Sequence, residues 1–335
     1  MRVGLAYDLK QAVKVENLAP DDALEEYDSP TTIEYIRKAI EGAGHTTVKL
    51  GGGREFLESV LREHVDIIFN IAEGRGNHRS REAQVPSVLE MLDIPYTGSD
   101  PECLAVSLDK PLTKTLAKLA GVRTPEWLEI KNEAQLESAD WHNFPFPAIV
   151  KPIWEGSSKG VHNNSLVDNA AQAKNVVREL LDTYHQPVMV EQFIDGDEIT
   201  VGVIGNQPDE KIVGMMKIIP RKQKSRFVYS VEVKRDWRNL VNYEAPARIS
   251  ENTRQQIERD TLTTFRILSC RDFARVDFRV DKNGIPYMLE INPLPGLGDY
   301  SDLILMAQRV GLTHEGIIVA VLNAALERYP LWVHG

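Results

Sequence analysis

The chain has 335 residues, of which 42% are hydrophobic and 26% are charged, and its formal net charge is −10. This length is enough for two or three domains with an ample core, and the composition is typical of a globular protein. An acidic chain offers no obvious basic face for a polyanion, so the charge argues against nucleic acid as a partner.

Cysteine usage and the distribution of apolar residues predict a cytoplasmic protein. The two cysteines, Cys103 and Cys270, lie far apart and form neither a disulfide framework nor a metal-binding spacing. The apolar run at the N-terminus is too short for a signal peptide. The longest late run, residues 316–326, is interrupted by Asn323 and is too short to span a bilayer, so we expect no membrane partner.

The first hundred residues predict alternating strands and helices. Strands are expected at 2–7, 46–50 and 65–70, with helices that begin at Ser29-Pro30 and near Phe56, and a third helix at 83–92. This βαβαβ order is typical of a parallel sheet covered by helices. Residues 8–28, between the first strand and the first helix, are polar and acidic, which predicts a loop or lid.

The rest of the chain predicts a second and a third mixed region. A helix is expected at 109–121, followed by strands and one amphipathic helix between Trp127 and Ile204. Residues 217–242 are basic and polar with scattered apolar residues, which predicts a loop that is mobile at least in part. A helix at 253–268 and closing helices between 303 and 326 are also expected.

Residues 275–292 predict a β-hairpin that carries an acidic cluster. Met288, Glu290 and Asn292 are expected to share one face of the second strand, opposite residues 287, 289 and 291, and Asp277 of the first strand can face Glu290. Two carboxylates and an amide carbonyl suit Mg²⁺ that bridges phosphate oxygens. On pattern alone, a surface hairpin with solvated acids is the alternative.

Two other stretches fit a nucleotide site. The loop Glu155–Gly160 is rich in small residues whose backbone and hydroxyl groups can fold over a phosphate tail, with a flexible connector as the alternative. Lys151, in an otherwise apolar strand before it, must pair with an anion or extend to solvent. Residues 188–194 predict a strand and linker on which an adenine ring can lie, although this stretch alone favours a core strand with an exposed turn.

Together these stretches resemble the ATP-grasp superfamily and, by their order and spacing, the D-alanine–D-alanine ligase family. The matching motifs are Asp109-Lys110 with Lys114, Val150–Pro152, Glu155–Ser158, Glu191–Ile194, Gly196–Glu198, Ala274–Phe278, Leu289–Asn292 and Pro295-Gly296. The resemblance implies an α/β fold with three subdomains at about 1–100, 101–200 and 201–335, the first with the parallel sheet. It also implies a homodimer.

The resemblance further implies roles for individual residues. Glu191 would accept from the adenine amino group and Glu198 would hold the ribose. The implied ATP-binding residues are Lys114, Lys151, Glu155, Ser157, Ser158, Glu191, Phe193, Ile194, Glu198 and Lys234. The implied ligands of two Mg²⁺ ions, or of Mn²⁺, are Asp277, Glu290 and Asn292. The implied catalytic residues are Arg275, Ser157, Gly296 and Lys234, and the implied substrate contacts are Arg275, Gly296 and Ser301. To these contacts we add Glu26 and Asp302, where this chain departs from the family pattern.

The implied reaction begins when a carboxylate attacks the γ-phosphate of ATP, which gives an acyl phosphate and ADP. An amine then attacks the acyl carbon and expels phosphate. The protein must neutralise charge and hold the groups in line, and metal ions and lysines supply this. Arg275 can fork onto the developing oxyanion.

The substrate half departs from the family pattern. Residues 4–8 lack the glycine-rich turn and nearby Glu that grip the first substrate's ammonium, and an insertion follows that is long enough to be functional. Glu25 and Glu26 are candidates to replace that acid. The family's His-Gly…Gly-Glu-Asp-Gly segment is replaced by residues 70–82. Three arginines there either hold a substrate carboxylate or lie in a solvated loop, namely Arg75, Arg79 and Arg81.

We therefore predict an ATP-dependent carboxylate–amine ligase for amino acids or small peptides other than two D-alanines, including those of a specialised metabolite. Asp299 and Asp302, which flank Ser301, would repel a free α-carboxylate there. Two alternatives stay open. One is D-alanine–D-alanine ligation in cell-wall synthesis, and the other is a non-catalytic ATP-binding sensor, against which the intact metal and oxyanion residues argue.

Overall fold

The computed structural model describes residues 1–14, 19–222 and 226–329. The chain begins with three parallel strands, β1 (Arg2–Tyr7), β2 (Thr46–Gly51) and β3 (Ile67–Ile71), in the order β2–β1–β3. Three helices accompany them, α1 (Pro30–Gly42), α2 (Gly53–Val60) and α3 (Gln84–Met91). The predicted βαβαβ order is therefore confirmed. The Ser29 side chain caps α1 by accepting a hydrogen bond from the Thr32 N–H at 3.2 Å.

Residues 19–28, within the stretch predicted to be a loop or lid, form turns that dock on the rest of the molecule. Asp22 is fully buried. Its carboxylate accepts hydrogen bonds from the backbone N–H of Gly160 at 2.7 Å and from the hydroxyl of Tyr184 at 2.8 Å. Residues 19–28, which we call the docked segment, are therefore anchored to the rest of the molecule through a buried side chain.

Two helices, α4 (Pro101–Leu108) and α5 (Lys110–Leu119), lead into a sheet of four antiparallel strands. The strands are β4 (Trp127–Ile130), β5 (Ala148–Pro152), β6 (Leu166–Val167) and β7 (Val188–Gln192), in the order β4–β7–β5–β6. The helices α6 (Glu133–Ser138) and α7 (Ala170–Tyr184) pack on this sheet. The apolar stripe of α7 packs on Val150 and Val190 and comprises Ala173, Val177, Leu180 and Tyr184.

The C-terminal sheet has five antiparallel strands. They are β8 (Gly196–Ile204), β9 (Lys211–Pro220), β10 (Val241–Glu244), β11 (Phe273–Asp281) and β12 (Pro286–Asn292), in the order β10–β9–β8–β11–β12. The helix α10 (Glu251–Ile267) packs on β11 and β12. The subdomain boundaries at 100 and 200 stay a prediction. Because β8 crosses residue 200 and pairs with β9 and β11, we propose that the second boundary lies before Gly196.

The prediction of a loop at 217–242 is confirmed in part, since residues 221–222 and 226–230 form neither helix nor strand, and it is wrong for the other described residues. The strand β9 continues to Pro220, and two short helices, α8 (Val231–Arg235) and α9 (Trp237–Leu240), precede β10; residues 223–225 lie outside the described part. The scattered apolar residues of this segment converge in one small core, where Phe227, Val233 and Val241 pack on Ile218. Tertiary packing, which no sequence period shows, orders the segment.

The last two helices, α11 (Asp302–Arg309) and α12 (His314–Arg328), return to the N-terminal sheet. Leu303 of α11 and Val321 of α12 share one apolar core with Val3, Leu5 and Ile36. Among the described helices, none is by itself long and apolar enough to cross a membrane. The pair α11 and α12 meets that criterion only jointly, and its helices are bent by 110° at their junction.

A buried ionic junction joins the N-terminal unit to β11. Asp272 is fully buried, and its carboxylate accepts hydrogen bonds from the backbone N–H of Gly98 at 2.7 Å and from the Arg328 guanidinium at 2.7 and 2.9 Å. Charge on both partners is needed here, because a buried guanidinium without its anion keeps its desolvation penalty.

We expect Asp272→Asn to lower the free energy of unfolding by about 3 kcal/mol, because Arg328 would lose its anionic partner while it stays mostly buried. Asparagine tolerates the positive φ of 64° at this position, so the substitution adds little backbone strain. Urea unfolding measures the effect. The exposed Asp209→Asn is the control, with a change within about 0.5 kcal/mol. Equal midpoints for the two variants would contradict the assignment.

Candidate active site

The hairpin β11–β12 forms one wall of a cleft that faces the four-stranded sheet. Its register brings Asp277 opposite Glu290, as predicted. A bulge then shifts the register so that Phe278 pairs with Met288, and Leu289 is the extra residue. Met288 therefore turns into the core, where it is fully buried, while Leu289 and Glu290 both line the cleft. The predicted shared face of Met288, Glu290 and Asn292 is wrong for Met288.

Asp277, Glu290 and Asn292 converge at this wall. The amide nitrogen of Asn292 donates weakly to Asp277 at 3.4 Å and to Glu290 at 3.5 Å. Asp277 also accepts hydrogen bonds from Thr200 at 2.6 Å and from Arg275 at 2.8 Å. Within the described part of the chain, no three His, Cys, Asp or Glu side chains meet as a metal site, so this cluster of two acids and an amide is the candidate. Its donors are all hard oxygens, which fits Mg²⁺.

Glu290 is held ionised by the cations around it. Burial alone raises the pKa of its carboxyl group, but Lys110, Lys151 and Arg275 outweigh burial and lower that pKa to about 2. Its nearest cation is Lys110, whose ammonium lies 3.6 Å from the carboxylate. A carboxylate that stays charged at neutral pH is ready to accept a metal ion.

A cavity of about 120 Å³ separates the hairpin from the four-stranded sheet. Its apolar lining contains Ile149, Phe193, Ile194, Ile218 and Leu289. The guanidinium of Arg279 lies 4.6 Å from the centroid of the Phe193 ring and pairs with Glu198 at 3.0 Å. Arg279 was not predicted as a site residue, because a residue of the alternating hairpin pattern carries no sign that it reaches the next strand. The apolar side chains of this first cavity, which we call the apolar slot, are of the kind that covers the face of an adenine ring.

Two of the three lysines predicted to bind ATP, Lys114 and Lys151, have different positions. Lys151 lines the first cavity, whereas Lys114 is fully buried and is not among the residues that line it. Both contact Glu191, Lys114 at 2.5 Å and Lys151 at 2.7 Å. Burial raises the pKa of the Glu191 carboxyl group, but the two lysines outweigh it and lower the pKa below its usual value. Glu191 therefore forms two buried ion pairs. It links α5 to β5 and β7, in addition to the adenine contact that was predicted for it.

Lys110, one turn before Lys114, lies where the ATP lysine was expected. It lines both cavities of the site and donates to the backbone carbonyls of Ile153 and Glu155. Lys110 is part of the matching motif, but the sequence predicts the ATP-binding role for Lys114. Lysines at 110, 114 and 118 repeat every four residues on one helix, so the spacing alone could not show which turn faces the cleft.

The loop after β5 closes over the junction of the cavities. Ser157 and Ser158 adopt positive φ angles of 49° and 61°, which turn the loop tightly. Ser158 lines the first cavity, the apolar slot, and its hydroxyl donates to the carbonyl oxygen of Tyr229 at 2.8 Å. Ser157 lines a larger neighbouring cavity, which is described below. Glu155, predicted to lie over the phosphates, accepts from Gln186 at 2.7 Å on the inner side of the loop. The loop is thus an ordered turn in the described structure.

Lys234 of α8 lines both cavities, as a phosphate-binding lysine would. Its ammonium lies 5.4 Å from the centroid of the Tyr229 ring. The next residue, Arg235, pairs with Asp21 at 2.8 Å and with Glu25 at 2.9 Å, so α8 is fastened to the docked segment. The segment that carries Lys234 and the insertion after β1 therefore cover the site together.

A second cavity, of about 330 Å³, adjoins the first. Arg275, Gly296, Ser301, Asp302 and Glu26 all line it, so the structure brings the five predicted substrate contacts together. Arg275 lies 3.7 Å from Asp302. Burial raises the pKa of the Asp302 carboxyl group, although Arg275 counteracts this. Asp302 is thus close to a cation and repels an incoming carboxylate less than the sequence suggested.

Glu26 and Arg81 are not free to bind a substrate. They form a buried ion pair at 2.7 Å, and Lys159 contacts Glu26 at 3.2 Å. The hypothesis that Arg81 holds a substrate carboxylate is therefore wrong, because its guanidinium is only 2% exposed and is already engaged by two acids, Glu26 and Glu155. Arg75 pairs with Asp8 at 2.8 Å.

Three other acids that sequence analysis missed line the second cavity, and we call Asp28, Glu73 and Glu82 the acidic wall. Burial and neighbouring acids raise the pKa of all three. The pKa of Asp28 is raised to about 7 by burial and by Asp8, and burial raises that of Glu82 to about 7 although Arg81 counteracts it. The pKa of Glu73 is raised well above its usual value by burial and by Glu82. Only the fold brings Asp28 to Glu73 and Glu82, which both lie in the connection between β3 and α3.

We expect Glu82→Gln to stabilise the protein at pH 8 and to leave its stability unchanged at pH 4. The raised pKa means that the folded state keeps a proton that the unfolded state loses between about pH 4.5 and pH 7, so ionised Glu82 destabilises the fold above that range. The gain at pH 8 should be on the order of 1–3 kcal/mol.

Urea unfolding at both pH values measures this gain. Glu102→Gln, which changes an exposed acid on α4, is the matched control and should have no effect at either pH. A Glu82 variant that is less stable than the wild type at pH 8 would show that the carboxylate has a stabilising partner.

Sequence relatives identify the family to which this site belongs. A sequence profile described as "D-ala D-ala ligase C-terminus" matches residues 115–323. The D-alanine–D-alanine ligase of Aquifex aeolicus is 33% identical over 292 residues, which cover 87% of this chain and 94% of that protein. The uncharacterized protein y4sG of Sinorhizobium fredii is 32% identical over 311 residues, 88% of each chain.

Solved structures show the same fold at lower sequence identity. The chain is similar to the D-alanine–D-alanine ligase of Bacillus anthracis complexed with ATP, with a TM-score of 0.75 and 21% identity over 98% of this chain and 99% of that one. It is also similar to the VanG D-Ala:D-Ser ligase of Enterococcus faecalis, with a TM-score of 0.74 and 18% identity over 97% and 99% of the two chains. The fold is therefore the α/β ATP-grasp fold predicted from the sequence. The chain belongs to the D-alanine–D-alanine ligase family and is an ATP-dependent ligase.

Proposed function

We propose that the chain joins a carboxylate to an amine at the expense of ATP, and that its substrates are amino acids or small peptides other than two D-alanines. The observation that carries this proposal is the junction of the two cavities. Lys110, Lys234, Arg275 and Glu290 line both the apolar slot and the larger polar cavity. A phosphate in the slot and a carboxylate in the cavity would meet among three cations.

In the first step, an oxygen of the substrate carboxylate attacks the γ-phosphorus, and the bond from phosphorus to the β-phosphate oxygen breaks, which releases ADP. Lys110, Lys151 and Lys234 would offset the charge of the phosphates and hold them in line. In the second step, an amine that has lost a proton attacks the acyl carbon, and phosphate leaves. Arg275 would stabilise the oxyanion that develops on the acyl oxygen, since it lies in both cavities.

Asp277, Glu290 and Asn292 would hold the divalent metal, with Mg²⁺ as the proposed ion and Mn²⁺ as a substitute. The metal supplies positive charge beside the transferring phosphoryl group. The ionised state of Glu290 supports this assignment, as does the convergence of the three side chains. Turning the Asn292 amide by half a turn would present its oxygen where its nitrogen now donates.

The substrate cavity supports the exclusion of two D-alanines. Asp8, at the end of the first strand, is buried and paired with Arg75, and Glu26 is paired with Arg81. Neither acid is therefore free to grip a single α-ammonium in the way that the family's first-strand segment does. The acidic wall instead places three carboxyl groups in a cavity to which one alanine brings a single ammonium.

Ligation of two D-alanines is the second candidate, and the relatives that carry that name favour it. A screen for ADP release over pairs of L- and D-amino acids, small peptides and amines, with product masses, separates the two. We expect a product other than D-alanyl-D-alanine from the most active pair. D-Alanyl-D-alanine as the most efficiently formed product would favour the second candidate, and ATP binding without turnover of any pair would favour a sensor. A homodimer stays a prediction, as does the cytoplasmic location.

We expect Glu290→Gln to lower kcat for ADP release at least 100-fold, because the variant loses a charged ligand of the proposed metal. The hairpin should still form, since its register rests on backbone pairing and on the buried core residues. Because the lowered pKa means that ionised Glu290 stabilises the fold, the variant should also lose on the order of 1–3 kcal/mol of stability at neutral pH. Steady-state ADP release at saturating Mg²⁺ measures the effect. Glu102→Gln is the control for a lost surface charge. ADP release by the Glu290 variant at the wild-type rate would remove this carboxylate from the site.

Replacing each of two neighbouring lysines by methionine should separate the binding role from the structural one. Lys110→Met should raise KM for ATP or lower kcat at least 10-fold, because its ammonium lies in the cavities. The loss of its hydrogen bonds to two backbone carbonyls should cost only about 1–2 kcal/mol of stability. Lys114→Met should lower the free energy of unfolding by about 3 kcal/mol, because buried Glu191 would lose one of its two cations.

ADP-release kinetics and urea unfolding of both variants measure these effects. Lys118→Met, one turn further along α5 and half-exposed, is the control for both. A Lys110 variant with wild-type kinetics, together with a stable Lys114 variant of impaired kinetics, would restore the role that the sequence gave to Lys114.

A further inference from the structure

The acidic wall is the part of the second cavity that the proposed chemistry leaves unused. Asp28, Glu73 and Glu82 approach the same cavity from the docked segment, from the end of β3 and from the turn before α3. Each of Glu73 and Glu82 feels the charge of neighbouring acids, and Glu73 feels that of both Glu82 and Asp28. Three mutually repelling acids are costly to bury, so their presence in a ligand cavity requires an explanation.

The cations nearest to the acidic wall are already matched by other acids. Arg81 and Lys159 contact Glu26 and Glu155 in a four-membered buried network. The two positive charges of that network offset its two negative charges. Neither cation is therefore available to neutralise the acidic wall.

The remaining nearby lysines are engaged as well. Lys10 lies 3.6 Å from Glu25, and Glu25 also pairs with Arg235. Lys110 lies 3.6 Å from Glu290 and donates to two backbone carbonyls. Each of these lysines lowers the pKa of one acid of the wall, but none forms an ion pair with it.

Glu82 gives an independent sign that a ligand belongs here. It is only 9% exposed, it lines the cavity, and among residues 1–14, 19–222 and 226–329 its carboxylate forms neither a hydrogen bond nor an ion pair. Buried carboxylates in proteins are normally paired. A carboxylate that is buried, unpaired and directed at a cavity is positioned for a cationic group that enters with the substrate.

We infer that the acidic wall binds a cationic nitrogen of the substrate, and that the preferred substrate class is amino acids with two cationic nitrogens, such as those with an ammonium or guanidinium side chain. This inference rests on the proposed function and names its substrate class. One α-ammonium offsets one of the three carboxylates, whereas a side-chain cation offsets a second. The carboxylate of the same molecule can lie beside Arg275 in the same cavity.

The raised pKa values of the three acids agree with this assignment. They report carboxylates that lack a partner in the free protein, and a bound cation would lower them. An uncharged side chain of the same length would bury the acids further without offsetting their charge. Such a substrate should therefore be rejected even when it fits the cavity.

The test compares cationic amino acids with uncharged ones of matched chain length, ornithine with norvaline and lysine with norleucine, each in both enantiomers. ADP release at saturating ATP gives kcat/KM, and calorimetric titration gives Kd without turnover. We expect the cationic member of the best pair to exceed its uncharged partner at least 10-fold in kcat/KM and in affinity. Equal values for the two members of every pair would overturn the inference.

Glu82→Gln should reduce that preference about 10-fold, and Glu102→Gln should leave it unchanged. A preference that survives intact in the Glu82 variant would overturn the role of the acidic wall. The two readouts also separate this inference from the proposed function. Cation-selective binding that depends on Glu82, with no ADP release for any pair, would support the acidic wall while the ligase proposal fails. ADP release that favours uncharged substrates would support the ligase proposal and overturn the inference about the acidic wall.

Discussion

The buried guanidinium of Arg81 is the constraint on which the arrangement of the site depends. It is 2% exposed and contacts Glu26 of the docked segment, Glu155 of the loop after β5 and the carbonyl oxygen of Trp154. A buried charge of this kind is tolerated only with its full set of partners. The insertion and the loop must therefore approach the N-terminal unit together, which closes one side of the substrate cavity and leaves the acidic wall facing its interior.

The lysines around the apolar slot differ in role, because some are paired with a buried acid and others lie in the cavities. Lys114 and Lys151 share Glu191, so their charges mainly fix β5, β7 and α5 relative to one another. Lys110 and Lys234 lie in the cavities with looser anionic contacts. Cations held in place before the ligand arrives need no reorganisation when negative charge develops beside them, and this preorganisation is the main means by which a phosphoryl-transfer site works.

Local patterns sufficed for the features that depend on neighbouring residues in the chain. The strand–helix alternation of the first hundred residues and the pairing of Asp277 with Glu290 follow from period and turn chemistry, and both are present. The bulge at Leu289, the burial of Arg81 and the turn of α5 that faces the cleft depend on contacts between distant segments. The acidic wall was the feature least predictable from the sequence, because Asp28 is distant in the chain from Glu73 and Glu82. The substrate half was thus the part that sequence patterns described least.

The return of α12 to the N-terminal sheet has a consequence for how the chain reaches its native state. Val3 and Leu5 of the first strand share a core with Ile317 and Val321, more than three hundred residues away. Contacts of such long sequence separation form slowly. During synthesis the first sheet emerges long before the helix that completes its core. The central and C-terminal sheets can therefore fold first, and the N-terminal unit acquires its full core only after α12 has emerged from the ribosome.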